Sequence, residues 1–354
     1  MTRSPAERTA DVRRLLAAAA RVHAGRARIA PAIAASTGLT PEGVELGFES
    51  LEREATDAEL QTLLRAAGTA AHVHVILSAN VFVAPLRALA LARAAAPRVS
   101  VRPSRRDPVL TSQLVAEAGD PGIALVSERD TAAIDADVIH VYGRSETIDS
   151  VRGHARPGVA IRGHGPGAGV AVVTAGADLR DAARALARDV VTFDQRGCLS
   201  PRAAIVEDAG PDRSRARAFA EALAESLADW SSRVPRGALD AEERAASVRW
   251  VSVMSFAGVV WEGAGHAVAL LHGEASAPLG SRLAAALPPP GRHVAVLDAP
   301  GLHDACAFGT LGPFVVAVGT DDPARVSRLV PAHARVSALG RMQRPALDGP
   351  VDRR

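Results

Sequence analysis

A change in hydrophobic period near residue 70 constrains the fold of this chain more than any other feature. Short apolar strands and amphipathic helical runs alternate after this point, with strands at 72–77, 98–102, 122–126, 137–142, 158–161 and 170–174, and helices at 84–95, 107–118 and from about 145. Strand–helix–strand units of this length fold as a parallel sheet with right-handed crossovers. The stretch 72–174 therefore predicts an α/β fold with a doubly wound, nucleotide-binding sheet.

Charge and residue usage exclude several classes of function. All 41 basic residues are Arg, and the absence of Lys rules out Schiff-base chemistry and a P-loop lysine. The net charge is only +2, and no basic block with interleaved aromatic residues suggests nucleic-acid binding. The two cysteines do not form a disulfide framework, and no Cys/His cluster has the spacing of a metal site, so we expect no metal.

The chain shows neither a membrane span nor a secretion signal by its residue pattern. No run approaches about 18 continuous apolar residues. The first 26 residues lack the apolar core of a signal peptide. We therefore expect a cytoplasmic protein without a membrane-spanning segment.

A polar turn around Cys198 is the first candidate for a catalytic site. It lies between an Ala-rich helical run and a short apolar strand, and Arg196 and Arg202 flank it. Nearby cations favour the thiolate, which is the reactive form of the side chain. The alternative is a half-buried structural cysteine. The other cysteine, Cys306, lies in an apolar run and is expected in the core.

Three separated segments resemble the aldehyde dehydrogenase superfamily. Residues 78–86 contain Asn80 and resemble the loop after the first strand, whose Asn donates to the substrate oxyanion. Arg102–Pro103–Ser104 resembles the Lys-Pro-Ser segment at the end of the next strand, with Arg in place of Lys. The glycine-rich segment 163–169 and Cys198 resemble the general-base loop and the nucleophile, and His164 stands where that family usually has Glu.

The resemblance implies roles for further residues, each with a plain structural alternative. As cofactor-binding residues it implies Arg102, Ser104, Gly143, Arg144, Ser145, Gly165 and Gly167. The cofactor would be NADPH or NADH, and Arg102 would suit the 2′-phosphate of NADPH because Arg binds phosphate with two donors. The alternatives are that Asn80 caps the following helix, that Arg102 is an exposed strand-end charge, and that the glycines form ordinary turns.

Within the superfamily, the Cys198 turn resembles most the long-chain acyl-CoA reductases related to bacterial luminescence. The run Gly263–Ala264–Gly265–His266 resembles a motif of CoA-acylating aldehyde dehydrogenases, so His266 is a further catalytic candidate; the alternative is a packed strand residue. Hydrolytic members need a carboxylate base to activate water. A histidine at position 164 therefore favours reduction of a thioester, in which water would destroy the intermediate. His164 could itself act as an acid or a base, because an unperturbed imidazole has a pKa of about 6.5; the alternative is a solvent-facing loop residue.

These observations predict an NAD(P)H-dependent acyl-CoA reductase, an oxidoreductase that forms a Cys198 thioester. The domains implied are N-terminal helices (1–64), a cofactor domain (65–175), an α/β catalytic domain (176–320) and a C-terminal segment returning to the core (321–354). The partner expected is an acyl-CoA or acyl-carrier substrate, and a homo-oligomer is compatible with the sequence. Two alternatives stay open: an acyl-phosphate reductase of the γ-glutamyl phosphate reductase type, and a degenerate, non-catalytic binding subunit.

Overall fold

The structure, a computed structural model, describes residues 3–51, 54–128, 130–210, 212–271 and 277–350. Residues 1–2 of the predicted N-terminal helices and residues 351–354 of the predicted C-terminal segment lie outside the described residues. The chain divides into two units. The first contains Met1–Thr37, Val44–Pro166 and Ala346–Arg354, and the second contains Gly38–Gly43 and Gly167–Pro345.

The first unit is built on a parallel sheet with helices along the chain between its strands. Its described strands are β1 (His72–Ile76), β2 (Arg98–Arg102), β3 (Ile123–Leu125), β4 (Val138–Tyr142) and β5 (Ala160–His164). The helices up to β5 are α1 (Pro5–Ala24), α2 (Ala30–Thr37), α3 (Pro41–Phe48), α4 (Asp57–Ala67), α5 (Ala84–Ala95), α6 (Val109–Ala118) and α7 (Ser145–His154). The predicted doubly wound sheet is confirmed for these strands.

The strand order of the first sheet, β3-β2-β1-β4-β5, reverses direction at β1. The chain first moves outward from β1 to β3 and then returns to add β4 on the other side of β1. Ligands of doubly wound sheets bind beyond the carboxyl ends of the strands at such a reversal. The segments that follow β1 and β4 are therefore the first places to look for a binding site in this unit.

The second unit is built on a seven-stranded sheet in the order β12-β11-β6-β7-β10-β9-β8. Its described strands are β6 (Ala168–Val173), β7 (Pro201–Glu207), β8 (Gly258–Gly263), β9 (His266–Leu271), β10 (His293–Ala299), β11 (Val315–Thr320) and β12 (Arg335–Ala338). The helices are α8 (Leu179–Val191), α9 (Ser214–Arg233), α10 (Ala241–Ala257), α11 (Leu279–Ala286), α12 (Leu302–Ala305) and α13 (Pro323–Val326). Only the edge strand β8 is antiparallel to its neighbour among these strands.

The prediction that the strand at 170–174 completes the first sheet is wrong. This strand is β6, and it pairs with β7 and β11 in the second sheet. All six of its residues are buried, and a Cβ on Gly169 would come within 2.4 Å of the Leu199 carbonyl oxygen. A wholly buried strand has the same hydrophobic pattern in either sheet, so the sequence could not assign it.

Helix α13 is capped by Asp322, whose side chain accepts from the Arg325 N–H at 3.1 Å. Asp321 instead accepts hydrogen bonds from the backbone N–H and the hydroxyl of Thr174, at 2.9 and 2.6 Å. This carboxylate ties the end of β11 to the end of β6.

Across the described part of the chain, every helix is too short or too polar to cross a membrane.

Candidate active site

Cys198 lies at the exposed tip of a short turn between α8 and β7. The helix ends at Val191, an irregular 3-10 segment follows at Thr192–Gln195, and β7 begins at Pro201. The turn is closed by a 3.1 Å hydrogen bond from the Ser200 N–H to the Gly197 carbonyl. The local sequence thus presents the thiol at the amino-terminal edge of the second sheet.

The two arginines that flank Cys198 in the sequence make different contacts. Burial lowers the pKa of Arg202, and the nearby Cys198 opposes that shift, so this guanidinium lies within electrostatic range of the sulfur. Its Nε is buried with no hydrogen-bond partner among the described residues. Arg196 instead donates to the Ala238 carbonyl at 2.9 Å and to Glu243 at 3.5 Å. The charge of Arg202 therefore interacts with Cys198.

His266, the other catalytic candidate of the second unit, is only 5% exposed and begins β9. Its Nδ1 lies 3.3 Å from the Ser231 hydroxyl. Burial, followed by the charge of Arg292, lowers its pKa. The structure thus has His266 as a packed strand residue, and its role in catalysis stays a prediction.

A surface cavity of about 450 Å³ opens next to His266 in the second unit. Its lining comes from the end of α9, the following loop, the start of α10 and the turn between β8 and β9, and it includes Arg236 and Arg244. Burial lowers the pKa of Arg236, and the carboxylates of Asp194 and Glu243 oppose the shift.

In the first unit, Asn80 lies in the exposed segment that follows β1. The position before α5 is held by Val83, with no side-chain cap, so the alternative that Asn80 caps this helix is not what the structure shows. Arg102 is the last residue of β2 and pairs with Ile76 of β1. Ser104 accepts a hydrogen bond from the Arg106 N–H at 3.2 Å. These residues therefore lie at the carboxyl edge of the sheet.

His164 ends strand β5, so the predicted glycine-rich loop is shorter than expected. Its Nε2 lies 2.9 Å from Nδ1 of His140, and its ring stacks on Tyr142 with the centroids 4.1 Å apart. His140 is buried, with 1% of its surface exposed. No local sequence pattern indicates this cluster, because its members lie on two strands and meet through the register of β4 and β5.

The start of α7 follows β4 through Gly143 and Arg144. Arg144 is in the cap position with extended backbone and makes no side-chain cap, and Ser145 is the first helical residue. The Gly143 N–H donates to the His164 carbonyl at 3.2 Å. An exposed helix start without a side-chain cap is suited to bind an anion.

The two glycines expected in the cofactor loop differ in their surroundings. At Gly165, a Cβ would lie 3.4 Å from Ile148 at the start of α7, an ordinary contact. At Gly167, a Cβ would come within 2.7 Å of Val316 in β11. Packing in the second unit therefore explains the glycine at 167 without any cofactor.

The structure groups the predicted residues at two sheet edges. Asn80, Arg102, Gly143 and His164 each lie at or just after the carboxyl end of a strand in the first sheet, where parallel strands end together. Cys198 and His266 lie at the amino-terminal edge of the second sheet.

Sequence reasoning missed three buried polar residues next to Cys198: Asp194, Gln195 and Arg292, which are 1%, 0% and 0% exposed. Their only sequence signal is the occurrence of Asp and Gln beside the cysteine in a polar turn. Arg292 is 94 positions further along the chain.

Comparison with protein families decides the assignment, since residues 45–307 match the acyl-CoA reductase (LuxC) family. The chain belongs to the acyl-CoA reductase (LuxC) family. The match covers both units and includes the Cys198 turn. No curated protein sequence matches the chain significantly. This LuxC-family chain is an enzyme, a fatty acyl-CoA reductase, as the sequence predicts.

Solved structures show that the LuxC-family chain has the aldehyde dehydrogenase fold. A NAD-dependent benzaldehyde dehydrogenase from Corynebacterium glutamicum superposes with a TM-score of 0.68 at 18% identity, covering 93% of this chain and 80% of that one. A γ-glutamyl-γ-aminobutyraldehyde dehydrogenase from Burkholderia cenocepacia superposes with a TM-score of 0.67 at 16% identity, covering 94% of this chain and 76% of that one. An indole-3-acetaldehyde dehydrogenase in complex with NAD⁺ superposes with a TM-score of 0.70 at 15% identity, covering 95% of this chain and 76% of that one.

Proposed function

We propose that the chain reduces fatty acyl-CoA to the aldehyde through a thioester on Cys198. The observation that carries this is the exposed thiol at the tip of its turn, with the Arg202 guanidinium within electrostatic range. A thiolate is the reactive nucleophile, and a nearby cation increases its population at neutral pH.

The first half of the reaction transfers the acyl group to the protein. The Cys198 thiolate attacks the thioester carbonyl, and the intermediate collapses with loss of coenzyme A as its thiolate. A bound reduced nicotinamide supplies the hydride for the second half. The hemithioacetal on Cys198 then collapses, which releases the aldehyde and regenerates the thiolate. No water is consumed in either half.

The first unit offers a suitable place for the nicotinamide cofactor. The strand order reverses at β1, and the exposed start of α7 follows β4 beside this reversal. The N–H groups of Ser145 and the residue after it would hold a pyrophosphate there. The cofactor-binding roles of Gly143 and Arg144 at this helix start, and of Gly165 after β5, are part of the proposal. We propose that the first unit binds the cofactor and that the second carries the nucleophile.

The preference for NADPH rests on Arg102 at the end of β2. A guanidinium there would pair with the 2′-phosphate, which NADH lacks. Replacement of Arg102 with Ala is expected to raise the KM for NADPH about tenfold or more, as for the loss of a charge-assisted hydrogen bond, and to leave the KM for NADH nearly unchanged. Equal effects on both cofactors would assign Arg102 another role.

The role of Asn80 as an oxyanion donor follows from the resemblance and has a direct test. Removing one such donor lowers kcat by about 10²–10³. We expect Asn80→Ala to show a loss of this size with little change in KM for acyl-CoA. A cytoplasmic location and a homo-oligomer remain predictions from the sequence.

The test of the proposed function is consumption of NADPH and NADH with medium- and long-chain acyl-CoAs, with acyl phosphates as the competing substrates. Cys198→Ala is expected to abolish turnover, and Cys306→Ala, which removes the buried cysteine, is expected to retain it. Turnover by Cys198→Ala at the wild-type rate would refute the covalent mechanism. Faster turnover of acyl phosphates than of acyl-CoAs would refute the proposal that acyl-CoA is the substrate.

A further inference from the structure

Three consecutive residues before the Cys198 turn have left-handed backbone. Phe193, Asp194 and Gln195 have φ of 60°, 50° and 63°. Residues with a Cβ rarely adopt this conformation, because the Cβ approaches the neighbouring carbonyl oxygen. Such a run persists only where surrounding contacts determine it, so its contacts show what holds the turn.

Asp194 is held by a buried ion pair. One carboxylate oxygen accepts from the Arg292 guanidinium, with Nη2 at 2.7 Å, and the other accepts from the Gly237 N–H at 2.9 Å. The side chains of Asp194 and Arg292 are 2% and 1% exposed. Arg292 also donates to the Val234 carbonyl at 2.7 Å. The pair therefore joins the residues before Cys198 to the loop after α9 and to the start of β10.

Gly237 has no space for a side chain at this junction. A Cβ there would come within 2.1 Å of the Gly38 carbonyl oxygen and 3.0 Å of the Asp194 carboxylate. A glycine at 237 therefore allows the backbone of this loop to lie directly against the Asp194 carboxylate.

The Gln195 side chain joins the two ends of the Cys198 turn by hydrogen bonds. Its side-chain amide donates to the carbonyl of Pro201 at 2.6 Å and to that of His293 at 2.7 Å, and its oxygen accepts from the His293 N–H at 2.9 Å. Gln195 and Pro201 are the two residues that bound the segment 196–200. The two ends of this segment are thus fastened to one amide, and Cys198 projects between them.

We propose that Asp194, Gln195 and Arg292 are positioning residues that fix the direction in which the Cys198 sulfur is presented to the acyl carbonyl. The inference rests on the proposed role of Cys198 as nucleophile. The three residues act through the backbone of the turn. Misplacement of a reacting atom by about 1 Å can cost about 10²-fold in rate, and the contacts of these three residues prevent such a shift.

The experiment compares two reactions of the same thiol. Acylation by acyl-CoA without cofactor requires a directed sulfur and is followed by quenching and mass spectrometry. Alkylation by iodoacetamide has no such requirement. In Asp194→Asn and Gln195→Asn, we expect acylation to fall about 100-fold while alkylation changes far less. In a variant that was merely unfolded, acylation would be lost and Cys306 would become reactive.

Matched variants separate positioning from stability. Arg282→Met breaks another buried ion pair of the second unit, Arg282–Asp298 at 2.6 Å, whose side chains are each 9% exposed. It is expected to acylate at close to the wild-type rate. Arg292→Lys, which keeps the charge, is expected to acylate faster than Arg292→Met.

The outcomes distinguish this inference from the proposed function. If the wild-type protein forms no acyl-enzyme, the proposed function is refuted. If the wild-type protein acylates and folded Asp194→Asn or Gln195→Asn does so equally fast, the positioning role is refuted. An equal loss in Arg282→Met also refutes it. If Asp194→Asn fails to fold, Gln195→Asn, which removes no charge, decides by the same criteria.

Discussion

The two cysteines of this chain show how local environment decides the chemistry of one side chain. Cys198 is exposed on a polar turn, whereas Cys306 is buried in the core of the second unit. Burial, together with the charge of Glu207, raises the pKa of the Cys306 thiol to about 11. Only the first can react readily at neutral pH, because the thiolate is the nucleophile.

This contrast predicts selective labelling. At pH 8, iodoacetamide is expected to modify Cys198 and leave Cys306 untouched in the native protein, as measured by peptide mass spectrometry. The denatured protein, in which both are exposed, is the control. Comparable labelling of both cysteines without denaturant would contradict the assignment of Cys306 to the core.

The Arg202 cation has a separate consequence for Cys198. Replacing Arg202 with Met is expected to raise the pH at which the alkylation rate of Cys198 is half-maximal, because a nearby cation favours the thiolate and this variant removes it. Arg196→Met is the control, since Arg196 donates to Ala238 and Glu243. If both variants shift the pH dependence of alkylation equally, or if neither shifts it, Arg202 does not favour the thiolate specifically.

Among single residues, sequence reasoning placed Cys306 in the core, which the structure confirms, whereas the catalytic role of Cys198 stays a prediction. It missed the Asp194–Arg292 pair, because a buried ion pair across 98 positions leaves no local pattern. It also took His164 for a loop residue. The hydrophobic pattern of β5 does not show where the strand ends.

At the scale of elements, α8 is fastened to the segment after β12 by one carboxylate. Asp189 is buried near the end of α8 and accepts from the backbone N–H groups of Gly340 at 2.6 Å and Met342 at 3.0 Å. Burial outweighs these hydrogen bonds and raises the pKa of Asp189 to about 7. The helix that leads into the Cys198 turn is therefore anchored by a pH-dependent contact.

The raised pKa of Asp189 fixes the sign of a stability change. Between about pH 4 and 7 the folded state binds more protons at this site than the unfolded state, so this contribution falls as the pH rises. We expect the free energy of unfolding of the wild type to fall relative to Asp189→Asn across this range, by at most about 1.4 kcal/mol per pH unit. Denaturant titrations at pH 5 and 8 measure it.

The exposed Asp181 on the same helix supplies the control for this comparison. Asp181→Asn is expected to track the wild type at both pH values. A constant difference between wild type and Asp189→Asn would mean that the carboxylate is ionised throughout.

The elements themselves were largely predictable, and the backbone of the turn was not. Helix α5 and strand β2 have the predicted bounds, because hydrophobic period and the positions of Pro and Gly determine such elements locally. Each left-handed residue before Cys198 costs about 1–2 kcal/mol. The distant contacts of Asp194 and Gln195 help to offset that cost, and local propensity cannot reveal contacts of this kind.

At the scale of the whole molecule, each of the two sheets contains a buried, neutral histidine. Burial lowers the pKa of His74 in β1 and of His293 in β10 to about 4 in both cases. The unfolded chain binds protons at these sites below about pH 6.5, so their contribution to stability is lost as the pH falls toward 4. Acid therefore acts on both units.

His293 permits a direct test, because its ring contacts Trp250 edge to face at 5.5 Å and all three Trp residues lie in the second unit. Tryptophan fluorescence is expected to show a smaller acid destabilisation in His293→Gln than in the wild type between pH 6.5 and 4. The exposed His303→Gln is the control. Parallel pH curves for wild type and His293→Gln would contradict the neutral histidine.

Fold class and family were readable from the sequence because they depend on alternation of strands and on short motifs. The assignment of strands to the two sheets could not be predicted, since β6 would have the same hydrophobic pattern in either sheet. The pairing that decides it joins β6 to strands far along the chain, β7 and β11.

The central claim is that Cys198 carries the acyl group. Incubation of the wild-type protein with a long-chain acyl-CoA in the absence of cofactor, followed by intact-mass and peptide mass spectrometry, measures this directly. We expect the mass of one acyl group on the peptide that contains Cys198; hydroxylamine should remove it, and addition of NADPH should release it as the aldehyde. An unmodified Cys198 peptide in a preparation that turns over acyl-CoA would contradict it.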